Sequence, residues 1–118
     1  MKDLAPQVYR QRLLIEAIYE IDVQEETIHR FFDALVAGLR VTAAGDAVVN
    51  SSLGMGKPEN QGIEAFLPLI ESGVAVYTWQ SSRFLSIILY TCRAFEQETA
   101  LDLVREFFQA SALEFKAF

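Results

Sequence analysis

The sequence predicts an α+β protein, a two-layer sandwich with two helices on one face of a mainly antiparallel sheet. Two segments repeat apolar residues at helical spacing, and six shorter segments have the alternating or continuously apolar pattern of strands. Their order along the chain is β-α-β-β-β-β-α-β. Because each helix has a single apolar stripe, both helices fit best on the same face of the sheet. The length of 118 residues predicts one domain, spanning residues 1–118.

The first predicted strand covers residues 8–19, in which apolar residues alternate on one face. Its second face is mixed, and it carries Glu16 beside Arg10 and Arg12. We expect Glu16 to pair with one of these arginines rather than to act as a catalytic acid.

A helix follows, and Asp22 occupies its expected N-cap with Glu25 at capping-box spacing. His29 is the only histidine of the chain, and it lies off the apolar stripe, so we expect it at the surface. A single histidine excludes any site that needs two. The stripe consists of Ile28, Phe31, Phe32, Leu35 and Leu39.

The middle of the chain predicts a weak strand at residues 41–49, a loop at 50–62 and a strand at 63–70. The loop contains the run GMGK at 54–57, which resembles a phosphate-binding loop but lacks the earlier glycine and the following Ser or Thr. Pro68 predicts that the strand at 63–70 lies at a sheet edge, begins there or carries a bulge.

Residues 71–92 read as a hairpin of two apolar strands joined by a short polar turn, and they include the only Trp and the only Cys. A second amphipathic helix is predicted at 96–110, and the alternating segment ALEFKAF closes the chain as a strand. The sheet face away from the helices then needs a cover, which suggests a homodimer formed through that face or through an edge. Candidates for this face are Trp79, Phe84 and Tyr90.

Composition restricts the class of function. The formal net charge of −6 argues against a nucleic-acid partner, because phosphates are held mainly by clustered Lys and Arg. The lone Cys92 excludes an intramolecular disulfide and a thiolate metal cluster, and we predict no metal site. No apolar run is long enough to span a membrane, and we recognise no secretory signal, so a cytoplasmic location is expected.

Three short runs of the hairpin carry a resemblance to a known family. These are ES at 71–72, YTW at 77–79 and YTC at 90–92. The chain resembles the bacterial and archaeal S-adenosylmethionine decarboxylases of polyamine and spermidine biosynthesis, in which Glu-Ser-His-x-x-x-His-Thr-Trp is followed by Phe-Thr-Cys-Gly at the same spacing. The run YEID at 19–22 is similar to the family's Tyr-Glu-Cys-Asp, and the closing helix and strand match its plan.

The resemblance implies a pyruvoyl-dependent carboxy-lyase. In the family, a serine hydroxyl attacks the preceding glutamate carbonyl, and the resulting ester is eliminated to leave a pyruvoyl group that acts as an electron sink. Ser72 matches the precursor of this group and Glu71 the residue before the cut. Cys92 matches the thiol that returns a proton after carbon dioxide leaves.

The chain departs from the family pattern at several of these positions. Tyr77 stands where the family has its processing histidine, and a phenol is a poor base at neutral pH because only about one in a thousand is ionised. The acidic residue expected in the first strand falls near Ala17, beside Glu16. The other departures are Gly73 for the first histidine, Glu64 for the upstream serine and Arg93 for the glycine after the cysteine.

Three functions follow from these residues. The first is a decarboxylase-like protein that does not process itself, retaining a pocket around Ser72, Tyr77 and Cys92 for a nucleoside or amine, or regulating an active relative. The second is an active pyruvoyl-dependent decarboxylase acting on S-adenosylmethionine or another amino acid. The third is a purely structural interaction module, which would have no small-molecule pocket near Cys92. Taken one by one, the residues also have structural alternatives: a buried core thiol for Cys92, an ordinary turn for Ser72 and Gly73, and core or dimer-face aromatics for Tyr77 and Trp79.

Overall fold

The computed structural model describes residues 1–118 and contains one six-stranded antiparallel sheet and two α-helices. The order β-α-β-β-β-β-α-β confirms the predicted α+β class. Two short 3₁₀ turns, Gly54–Gly56 and Pro58–Asn60, lie between the second and third strands. The elements are β1 (Gln11–Ile18), α1 (Glu25–Leu39), β2 (Val48–Ser52), β3 (Gly62–Leu69), β4 (Ser72–Trp79), β5 (Phe84–Thr91), α2 (Gln97–Phe107) and β6 (Ala112–Ala117).

The predicted hairpin forms the centre of the sheet. The strand order is β2-β3-β4-β5-β1-β6, so β4 and β5 are both interior strands. Trp79 pairs with Phe84 at the closed end of this hairpin, and Ser72 pairs with Thr91 at its open end. Strand β1 lies between β5 and β6 and joins the two ends of the chain in one sheet.

Both helices pack on the same sheet face and enclose a core of 23 buried apolar residues. The predicted stripe of α1 is buried except for Leu39, which is partly buried. Its Phe31 ring contacts the rings of Phe107 and Phe108 at centroid distances of 5.4 and 4.8 Å. Each such buried aromatic side chain contributes about 2–3 kcal/mol of burial free energy, so this cluster holds the two helices together. His29 is exposed, as expected.

Some element boundaries differ from the sequence prediction. Gln24, not Asp22, is the N-cap of α1, and its backbone N–H donates to the Thr27 hydroxyl in a capping box. The weak strand lies at Val48–Ser52 rather than at 41–49, because Ala43 makes only an isolated bridge to Leu69. The predicted loop therefore loses its first three residues to β2.

Pro68 lies in β3, which is an interior strand and not an edge strand. Its neighbour β2, however, does not extend alongside Pro68. The pairing of β2 with β3 stops at Phe66, and beyond it the Pro68 carbonyl accepts a hydrogen bond from the Ala44 N–H at 2.8 Å. The missing proline N–H therefore interrupts no ladder with β2.

The prediction that Glu16 forms an ion pair with Arg10 or Arg12 is wrong. Its carboxylate accepts a hydrogen bond from the Ser86 hydroxyl at 3.1 Å, whereas Arg10 pairs with Asp3 and Arg12 donates to the carbonyl of Phe118. Cross-strand register explains this choice, because Glu16 lies directly opposite Ser86.

Neither helix of the structure is long and apolar enough to cross a membrane.

Candidate functional site

The sheet face away from the helices, called here the open face, has no covering element. Four of its large side chains are 38–46% exposed, namely those of Phe66, Tyr77, Ile88 and Tyr90. Strand register arranges the face in transverse rows. One row is apolar over five strands, with Val48, Phe66, Ala75, Ile88 and Leu14, and ends at Lys116 on β6. The next row is polar and contains Asn50, Glu64, Tyr77, Ser86, Glu16 and Glu114.

Ser72 is the first residue of β4, directly after the tight turn from β3. Its backbone φ of 149° lies in a region that residues other than glycine rarely adopt. Such conformations cost about 1–3 kcal/mol and persist only where surrounding contacts impose them. The contacts here are the ladder partners on both sides, since Ser72 pairs with Leu69 in β3 and with Thr91 in β5.

Glu71, the residue before Ser72, is held on both its backbone and its side chain. Its carbonyl accepts a hydrogen bond from the Cys92 N–H at 2.7 Å. Its carboxylate is buried, accepts a hydrogen bond from the Thr42 N–H at 3.0 Å and lies 3.8 Å from the Arg93 guanidinium. The α1–β2 connection and the end of β5 thus fix the peptide bond between Glu71 and Ser72.

A cavity of about 270 Å³ adjoins Ser72 on the open face. We call it the Ser72 cavity. No charged side chain lines it, and the Phe66 ring lies against Gly73. The lining residues are Phe66, Ser72, Gly73, Ala75, Ile88 and Tyr90.

Cys92 is exposed, so the alternative of a buried core thiol is wrong. It follows the last residue of β5, and the hydrogen bond of its N–H to Glu71 brings its backbone next to the bond before Ser72. The structure therefore brings together three of the four predicted site residues, Glu71, Ser72 and Cys92.

Tyr77 is not part of this group within one chain. It lies five residues after Ser72 on the same strand, about 16 Å away at the usual rise of a strand. Its cross-strand neighbours are Glu64 and Ser86, in the polar row of the open face.

The only histidine is also remote from Ser72. His29 lies on α1, in the layer on the other side of the sheet, where it lines a cavity of about 470 Å³. None of the predicted site residues lines that cavity. No histidine therefore borders Ser72.

Sequence reasoning missed two features of the site. The first is the contact of Thr42 and Arg93 with the Glu71 carboxylate, which joins residues remote in sequence and leaves no local pattern. The second is the packing of Phe66 on Gly73. The glycine within a strand was its one available signal, because Phe66 lies diagonal to Gly73 rather than opposite it.

The fold and the site define a class: a two-layer α+β protein with a strained serine at the start of an interior strand, a cysteine beside it and an open sheet face. A family model for S-adenosylmethionine decarboxylase matches residues 13–118. The chain belongs to the S-adenosylmethionine decarboxylase family.

A solved structure has the same fold. The crystal structure of the adenosylmethionine decarboxylase from Aquifex aeolicus VF5 superposes with a TM-score of 0.73 at 14% sequence identity, covering 94% of this chain and 89% of that chain. None of the curated protein sequences matches the chain.

Proposed function

We propose that this chain is a decarboxylase-like protein of the cytoplasm that does not cut itself before Ser72 and is catalytically silent. The observation that carries the proposal is the lack of a base. Position 77, where the resemblance places the processing histidine, holds a tyrosine, and His29 lies in the helix layer. Without a base, the α-proton of Ser72 is not removed, and the chain stays intact.

A pyruvoyl group formed from Ser72 would supply an electron sink for decarboxylation. The residues around Ser72 do not fit its formation. The Ser72 cavity is lined by apolar and aromatic side chains, and Ser72 is its only side-chain hydroxyl apart from the phenol of Tyr90.

We further propose that two copies associate through the open face. Its apolar row exposes Phe66 and Ile88, and a second copy would cover them with the same residues. A chain of this kind could equally associate with an active relative and regulate it.

The ligand best suited to the Ser72 cavity is a nucleoside rather than an aliphatic amine. The cavity offers aromatic surfaces at Phe66 and Tyr90 for stacking and no carboxylate to balance an ammonium charge. Titration with adenosine and with n-butylamine, followed by calorimetry, tests this choice. Adenosine should bind and lose affinity in Phe66→Ala, whereas butylamine binding with no adenosine binding would contradict the assignment.

A second candidate is an active pyruvoyl-dependent decarboxylase. It is favoured by the strained backbone of Ser72 and by the Cys92 N–H, which polarises the carbonyl that the Ser72 hydroxyl would attack. Release of carbon dioxide from S-adenosylmethionine or another amino acid, abolished in Ser72→Ala, would establish it. No release from the purified protein across a panel of amino acids would exclude it.

A further inference from the structure

Tyr19 is a nearly buried tyrosine whose hydroxyl has no protein partner. The residue is 4% exposed, and its hydrogen bonds are those of its backbone, whose N–H donates to the Arg83 carbonyl and whose carbonyl accepts from Arg83 Nε. No side-chain oxygen or nitrogen that lacks a partner is fully shielded from solvent in this structure. The Tyr19 hydroxyl is therefore in part exposed to solvent, although the residue as a whole is nearly buried.

Tyr19 lines a cleft of about 140 Å³. The cleft lies where the end of β1, the start of α1, the end of β2 and the start of β3 meet. Most of its lining side chains are polar, and none is charged. They are Tyr19, Val23, Gln24, Ser51, Ser52, Leu53, Gln61, Ile63, Thr78 and Gln80, with Gly62 at the sheet end.

The free hydrogen-bonding groups of the cleft are neutral. Like the Tyr19 hydroxyl, the side-chain amides of Gln61 and Gln80 make no hydrogen bond to the protein, although the Gln80 N–H donates to the Gln61 carbonyl. Each amide offers both donors and an acceptor. Burial raises the pKa of the Tyr19 phenol, so this group also remains a neutral donor and acceptor at physiological pH.

We propose that this cleft binds a small neutral polyol, with the Tyr19 hydroxyl as its buried anchor and the amides of Gln61 and Gln80 at its mouth. Hydroxyl groups both donate and accept, which matches this set of groups. An ion would lose its hydration without a counter-charge. The site is independent of Ser72, because Thr78 in the cleft and Ser72 lie six residues apart on β4, about 20 Å at the usual strand rise.

The test is a titration of isotope-labelled protein with glycerol, followed by NMR. We expect saturable shifts of the Gln61 and Gln80 side-chain NH₂ resonances and of the Tyr19 ¹³Cζ resonance. Tyr19→Phe removes one hydrogen bond and should weaken binding about five-fold. Tyr9→Phe is the matched control, because Tyr9 is exposed and bonds only to Gln11, and it should leave the affinity unchanged.

Three results would overturn the proposal. They are shifts that stay linear to the highest glycerol concentration, an unchanged affinity in Tyr19→Phe, or equal binding of acetate or methylammonium. If Tyr19→Phe fails to fold, the ¹³Cζ resonances of the wild-type protein test the proposal instead. The shift of the Tyr19 resonance should saturate as glycerol is added, and the Tyr9 resonance should show no saturable shift.

Discussion

The ring of Phe66 lies so close to the backbone of Gly73 that a Cβ atom on Gly73 would come within 2.5 Å of Phe66 Cζ. The two residues lie on neighbouring strands of the open face, beside Ser72. Position 73 is one where the resemblance places a histidine. In this chain the space that such a side chain would need is occupied by the phenyl ring, which makes the Ser72 cavity apolar.

This packing predicts an energetic coupling between Phe66 and Gly73. Gly73→Ala forces the ring to turn away and should cost about 1 kcal/mol in the free energy of unfolding measured in urea. In a Phe66→Ala background the same change should cost nothing, giving a coupling of about 1 kcal/mol. Gly45→Ala is the control, because its Cβ would meet only Pro68 Cγ at 3.5 Å. Additive effects of the two changes would contradict the packing.

The Glu71 carboxylate predicts a second effect on stability. Glu71→Ala removes the acceptor of the Thr42 N–H and should lower the free energy of unfolding by about 1–3 kcal/mol. Glu71→Gln keeps an acceptor oxygen and should cost clearly less. Glu106→Ala, at an exposed position of α2, serves as the control. Equal losses for the Ala and Gln variants would show that the Thr42 contact does not stabilise the fold.

Association through the open face predicts that a charge at its centre separates the copies. Ile88 lies between Ala75 and Leu14 in the apolar row, so Ile88→Glu would bury an unpaired carboxylate in the interface. Sedimentation velocity should show a dimer for the wild type and a monomer for Ile88→Glu. Leu53→Glu, outside the sheet and 77% exposed, should remain dimeric. A monomeric wild type at all concentrations, or a dimeric Ile88→Glu, would refute the interface.

Tyr19 predicts a loss of stability in alkaline solution. Burial raises the pKa of its phenol above the ordinary value of 10.0, so the unfolded chain ionises first and binds fewer protons than the folded chain. The stability that this group contributes is complete below pH 10 and is lost as pH rises through the folded pKa. Urea unfolding between pH 9 and 11 should therefore show a shallower decline in Tyr19→Phe than in the wild type or Tyr9→Phe. Identical slopes in all three proteins would contradict the shift.

The parts of the fold that local patterns encode were predictable. The apolar stripe of α1 and the alternation along the central hairpin depend on side chains within a few residues of one another, and both helices lie on the predicted face. The starts of α1 and β2 were harder to predict, because more than one nearby residue could have begun each element. Thr27 supplies the capping group that the sequence pattern assigned to Asp22 and Glu25, and Ala43 pairs only once, so β2 begins five residues after it.

The candidate site was predictable only as far as the resemblance reached. Glu71, Ser72 and Cys92 meet because the ends of β4 and β5 pair, and the hairpin pattern contained that information. The remaining features come from contacts between distant segments. Glu16 accepts a hydrogen bond from Ser86 on the neighbouring strand and does not pair with an arginine. The hydroxyl of Tyr19 has no protein partner. No local sequence pattern indicates either feature.

The central claim is that the chain does not cut itself between Glu71 and Ser72. Intact-mass measurement of freshly purified protein tests this claim most directly. An uncut chain of 13.3 kDa is expected, unchanged after prolonged incubation and identical in behaviour to Ser72→Ala. Two fragments, residues 1–71 and 72–118 with a modified N-terminus on the second, would show that the chain processes itself and that the loss of the histidine at position 77 has been compensated.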